Sequence, residues 1–280
     1  MHGTLLIARL TWLETRRRRI ALAALVLGLL FVAVFATAIY FGFRFEDAAG
    51  EVNAVQRRVA ATVLTVAGLY VVNFLVTAAA ILLPIDSLSG EIGSGVIQTL
   101  ASKPIDRAAI VVGKSLAYLA MTAAYLVLLA GGVLLAMRCF ADYTAPAVIV
   151  PLAYMLLGAA VMLSITIAGG VRFSTITNGI VAFGLYGVAF IAGWMEQILS
   201  LSFFNSPTAR YVGTLVSLLN PADAMWRRAA YELQPITAVI FEAGPFGVAS
   251  VPSTAMIVWA VAFVLGVLAL AARLFRRRPL

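Results

Sequence analysis

Cysteine and histidine are almost missing from this chain: Cys139 and His2 are the single representatives in 280 residues. One cysteine excludes an internal disulfide and a cysteine-held metal cluster. One histidine beside the N-terminus excludes histidine metal sites and histidine general-base catalysis. Charged residues are only 11% of the chain, against roughly a quarter in a soluble domain. Away from their ends, the long apolar runs hold no Asp, Glu, Lys, Arg or His. An intramembrane hydrolase or an ion-coupled transporter needs such groups at mid-membrane. Nucleotide-binding signatures are missing as well, because Gly113-Lys114-Ser115 follows no glycine-rich loop. Gly93-Ser94-Gly95 lacks the spacing of a serine-hydrolase elbow. The chain therefore reads as a non-enzyme without cofactor or metal, and its driving energy comes from elsewhere.

What is present is apolar. Hydrophobic residues make up 63% of the chain and the mean hydropathy is +1.02. The expected fold class is all-α, a polytopic membrane protein forming one domain over 1–280. Crossing about 30 Å of hydrocarbon takes roughly 20 residues. Six runs suffice: Ile20–Phe43, Val59–Leu83, Ala109–Met137, Pro146–Gly169, Ser174–Met195 and Thr254–Ala272. With both termini cytoplasmic, thirteen of the 20 cations fall inside and seven outside, while the acids divide four inside to eight outside. That asymmetry is the positive-inside pattern. The net charge of +8 is then explained by topology and by lipid headgroups around Arg16–Arg19 and Arg276–Arg278, so nucleic acid is not expected as a partner.

Residues 3–19 open with Leu6, Leu10 and Leu13 on one helical face, which predicts an interfacial helix. Buried polar groups are few: Asn73 and Thr77 in the second run, Ser164 and Thr166 in the fourth, Asn178 in the fifth. They either line a translocation path or hydrogen-bond a neighbouring helix. Gly184, Gly187 and Gly193 mark close helix approach, within one subunit or between two. Gly169-Gly170 is expected to form a tight cytoplasmic turn.

The most informative stretch is Pro84 to Lys114. Leu88, Ile92, Val96 and Leu100 fall four apart, so as a helix they form one apolar stripe that must meet a membrane or a partner groove. Glu91 lies in the first turn, Pro104 stops the element and Asp106 is placed to cap the next helix. The order Glu91, Gly93, Gly95, Leu100, Pro104, Arg107, Gly113, Lys114 resembles the permease subunits of type-2, exporter-class ABC transporters. That resemblance implies a coupling helix within 84–108, with Leu88, Glu91, Ile92, Gly95, Val96, Leu100, Pro104 and Arg107 as docking residues for an ATP-binding subunit. It also implies two such ATPase subunits, a second permease copy or a related permease, and a plasma-membrane location. The family's further charge after the glutamate is replaced here by Ile92 and Ser94.

Residues 196–253 are expected on the outer side as re-entrant or interfacial helices. Asn220-Pro221-Ala222-Asp223 is a helix start, with Asn as cap and Asp in the first turn. Asn220, Pro221, Asp223, Met225 and Trp226 are candidates for an outer gate, Met225 resting on lipid or on a neighbouring copy; Asn73, Thr77 and Asn178 are candidates for the path. The L-N-P-x-D-A order is similar to permeases of the nitrous-oxide-reductase maturation group. The expected function is the transmembrane permease of an ATP-driven exporter. The alternative is a membrane assembly or signalling subunit that pairs with an ATPase and moves nothing.

Overall fold

Without water to bond to, a backbone inside a membrane satisfies its own N–H and C=O groups, and a long apolar run does so as a helix. The computed structural model describes residues 2–49, 53–93, 106–199, 214–234 and 251–278. Among the described residues the regular structure is entirely helical. It comprises α1 (His2–Thr15), α2 (Arg19–Ala49), α3 (Ala54–Leu82), α4 (Ser89–Gly93), α5 (Arg107–Ala141), α6 (Ile149–Arg172), α7 (Thr175–Leu199), a short helical segment at 214–219, α8 (Ala222–Leu233) and α9 (Thr254–Arg277). Six of these, α2, α3, α5, α6, α7 and α9, are long and apolar enough to cross a membrane. The protein is an all-α polytopic membrane protein.

The six helices are not equivalent. α6 and α3 are buried over 56% and 50% of their apolar windows, whereas α2 and α9 are buried over only 6% and 11%. α6 and α3 thus form the centre, and α2 and α9 present most of their surface outward. Small residues let the centre close: a Cβ on Gly158 of α6 would lie 2.9 Å from the carbonyl of Ala222. α1 lies across the first turns of α5 and buries Ile7, Thr11 and Thr15 at i, i+4, i+8 spacing. Its leucine face, Leu6, Leu10 and Leu13, stays about half exposed, uncovered by the rest of the chain. α1, the turn after α3, the last turn of α9 and the arginine blocks gather at one end of the bundle, the basic end below.

One expectation about the α6–α7 connection is corrected. Gly169 and Gly170 do not form the turn; they continue α6 to Arg172, and the chain turns at Phe173-Ser174. The glycines instead make room for Asn178, whose amide oxygen a Cβ on Gly169 would strike. Asn178 donates from Nδ2 to the carbonyls of Ile85 at 3.1 Å and Thr166 at 3.0 Å. It cross-braces α7, α6 and the turn after α3.

Candidate functional site

Two polar sites lie inside the bundle, one at each end. At the basic end, α3 stops at Leu82, the chain turns through 83–88, and α4 follows for one turn. Leu88 is 1% exposed and belongs to the main core cluster, so it anchors this turn in the bundle and is not a free docking face. Glu91 is also turned inward. Its Oε1 lies 2.5 Å from Nζ of Lys114 on α5, and Nζ also donates to the carbonyl of Ser87 at 3.1 Å. The lysine and glutamate side chains are 4% and 14% exposed. The first and last residues of the Glu91-to-Lys114 motif are therefore one buried ion pair, which closes the loop between α4 and α5.

Neighbouring contacts extend this site. Arg18 bonds both Glu14 at 2.5 Å and Asp86, tying the end of α1 to the same turn. Asp106 caps α5 as expected, accepting from the Ala108 N–H at 3.1 Å, and pairs with Arg276 of α9. The Arg276 hydrogen bond and the Ala108 N–H together hold the Asp106 carboxyl below the usual carboxylate range. Arg107 donates to the carbonyl of Arg278 at 2.8 Å, an intrachain contact. Gly95, Val96, Leu100 and Pro104 lie outside the described residues, and the side chain of Ile92 is likewise outside them.

The second site is built by a helical hairpin with its tip at Asn220-Pro221. Segment 214–219 and α8 are its arms, joined where Arg227 Nη2 donates to Ser217 Oγ at 2.9 Å. Asn220 Oδ1 accepts from the Ala222 N–H at 3.2 Å, so asparagine caps α8 from the position before Pro221. Its Nδ2 donates to the Leu185 carbonyl of α7 at 3.1 Å and meets Met162 Sδ of α6 at 3.4 Å. At 1.5 Å per residue Met162 is about 20 Å along α6 from its start, and Leu185 about 15 Å along α7. The tip thus reaches the middle of both helices.

This depth changes the reading of α8. Met225 and Ala229 are fully buried, Trp226 is 5% exposed, and Arg227 is 2% exposed; they face the chain's own α6, α7 and α3, not lipid. Asp223 Oδ2 and Arg227 Nε pair at 3.1 Å across one helical turn. Gly193 of α7 faces the Asp223 carboxylate so closely that any Cβ there would collide with it. The expectation of an uncharged interior is therefore overturned: the spans supply no charge here, but the hairpin carries an ion pair between them. Along the sequence these charges read as a surface face, because the small residue that makes room for them, Gly193, lies on another helix. An aromatic group adjoins the pair. Tyr70 of α3 accepts from Trp194 Nε1 at 2.5 Å and packs on Trp226 with ring centroids 5.2 Å apart. Thr77 and Asn73 lie on the same helix, 2% and 8% exposed. Ser164 and Thr166 bond their own helix, to the carbonyls of Val161 at 2.7 Å and Met162 at 2.9 Å.

A six-helix membrane bundle with an inserted hairpin and a pinned loop at one end has the form of a transport subunit. A family model described as ABC-2 family transporter protein matches residues 7–280, and the chain belongs to that family. It is the transmembrane permease part of an ABC transporter, not itself catalytic, and such permeases pair with ATP-binding subunits. A search of curated proteins gave no match.

Proposed function

We propose that this chain forms the translocation pathway of an ATP-driven exporter and takes its energy from separate ATP-binding subunits docked at the basic end. The carrying observation is the Glu91–Lys114 pair, which with buried Leu88 fixes both roots of the loop that holds Ile92, Gly95, Val96, Leu100 and Pro104. A loop held rigidly at its roots transmits a push to α3 and α5; a loose one does not. The basic end is cytoplasmic in this reading, as the thirteen-to-seven division of cations supports, and the membrane is the plasma membrane. Residues 3–19 are the interfacial elbow and 84–108 the coupling segment.

A second permease copy meets α7, where Gly184 and Gly187 have nothing within 4 Å of a built Cβ and Ile180, Val188 and Ile191 are 58–69% exposed. Two ATP-binding subunits then complete the assembly. Asn73 and Thr77 border the path, Asn178 braces its cytoplasmic wall, and the hairpin within 196–253 closes its outer half. Val96→Asp tests the docking claim, because a charge forced into an apolar contact costs several kcal/mol. The expected result is normal membrane insertion with loss of co-purifying ATPase. A variant that still binds its ATPase and supports wild-type hydrolysis overturns the assignment.

A further inference from the structure

Between the end of α6 and the last turn of α9 lies a cleft of about 460 Å³, open to the surface at the basic end. Val171 and Leu274 are its apolar lining, and Arg172, Arg277 and Arg278 are its charges. No carboxylate is among the described residues that line it. Among the described residues, the acids of this end are already engaged: Glu14 and Asp86 by Arg18, Glu91 by Lys114, Asp106 by Arg276. Arg172 and Arg277 have no ion-pair partner among the described residues. Arg278 is held in place from two sides, its guanidinium on the Val171 carbonyl and its own carbonyl on Arg107.

Guanidinium groups that line one cleft, with no counter-charge among the described residues, repel one another, and an anion in the cleft reduces that repulsion. The planar fork of arginine suits a phosphate, which it binds with two charge-assisted hydrogen bonds. A free phosphate or an acidic protein surface offers the same charge, but neither uses the apolar lining. A phospholipid does. α9 runs away from the cleft almost bare: Leu270, one turn from Leu274 on the same face, is exposed by 52%, and only 11% of the helix's apolar window is buried. Acyl chains along that helix continue from a headgroup seated among the arginines, as basic pockets between membrane helices do elsewhere.

We propose that this cleft binds the headgroup phosphate of an anionic phospholipid, with the acyl chains lying along α9. The test is native mass spectrometry of the purified full chain with phosphatidylglycerol or phosphatidylcholine of equal chain length, alongside thermal melting with each lipid. The expected result is selective retention of phosphatidylglycerol and a raised Tm with that lipid only. Arg172→Gln/Arg277→Gln should reduce the retained fraction by about tenfold or more, the loss expected from removing two charge-assisted contacts. Both side chains are exposed, so the fold stands; Arg278 is left unchanged because it bonds α6. Arg44→Gln/Arg58→Gln removes equal charge at the opposite end, from two exposed side chains outside the cleft, and should leave retention as it was. Equal retention of the two lipids overturns the proposal, as does an unchanged double variant at Arg172 and Arg277. An equal Tm rise from inorganic phosphate alone means a free-anion site and overturns the lipid assignment. Absence of lipid selectivity with cleft protection by bound ATPase means an acidic protein surface, and overturns it too.

Discussion

The two buried ion pairs among the described residues are alike in burial and opposite in connectivity. Glu91–Lys114 joins two elements 23 residues apart in the chain, whereas Asp223–Arg227 lies within one helix at i, i+4. A pair between elements holds only while those elements keep their relative position. A pair within one helix holds wherever that helix goes, and lets α8 move as a neutralised body. The first kind fixes a geometry and the second makes a polar helix tolerable inside an apolar bundle. The basic end is therefore held in one geometry, and under the proposed function that lets it transmit displacement while the hairpin keeps its own pair.

The largest expected effect breaks the pair inside α8. Arg227→Met removes the i, i+4 partner of the Asp223 carboxylate, which lies 11% exposed against α7, with an expected cost of about 3–5 kcal/mol. Thermal unfolding of the purified chain should show it. Asp223→Leu/Arg227→Met removes both charges and should recover most of that loss, which separates charge burial from shape. Lys114→Met comes next, at about 3 kcal/mol, since Glu91 is less enclosed and can turn outward. Here the double replacement Glu91→Leu/Lys114→Met should recover stability without recovering stimulation of the partner ATPase. If hydrolysis recovers together with stability, the inter-element pair is only a structural filler and the contrast between the two pairs fails.

Asn220→Ala sharpens the hairpin side. It removes the cap of α8 and the bond to Leu185, for about 1–2 kcal/mol. A spin label at Tyr231, which is 39% exposed, should then show a broader distance distribution to a label on α6. Unchanged distances mean that the tip is held by packing at Gly158 and Gly193 alone. The smallest effect concerns Asp106. Its carboxyl is held low in the folded protein, so its contribution is present above the unfolded value and fades as pH falls through the folded one. The pair is exposed. The bond to α9 should weaken only below about pH 4, and Asp106→Asn should melt alike at pH 7 and pH 3.5 relative to its own baseline.

Hydropathy alone made the six spans readable, because a run such as 174–195 has one way to satisfy its backbone in lipid. The Asp106 cap was legible from local chemistry for the same reason: the signal and the bond lie within a few residues. The depth of α8 was not legible. Its segment ADAMWRRAAYEL reads as a surface helix when taken alone, and its burial depends on Gly158 and Gly193 from other helices. Leu88 shows the same limit. Spacing put it at the head of an exposed stripe, but core partners outside that spacing turned it inward. Gly169-Gly170 misled differently, since glycine allows a turn and a tight helix contact equally well.

The seat of α8 also bears on how the chain is made. The hairpin carries Asp223 and Arg227, and a charged segment of this kind does not enter lipid by itself. Its slot is formed by α6, α7 and α3, all of which precede it in the chain. During synthesis those three helices must already be side by side when the residues after 213 emerge, so that the hairpin drops into a finished cleft. Assembly is thus ordered from N- to C-terminus, with α9 released last as the outer stave.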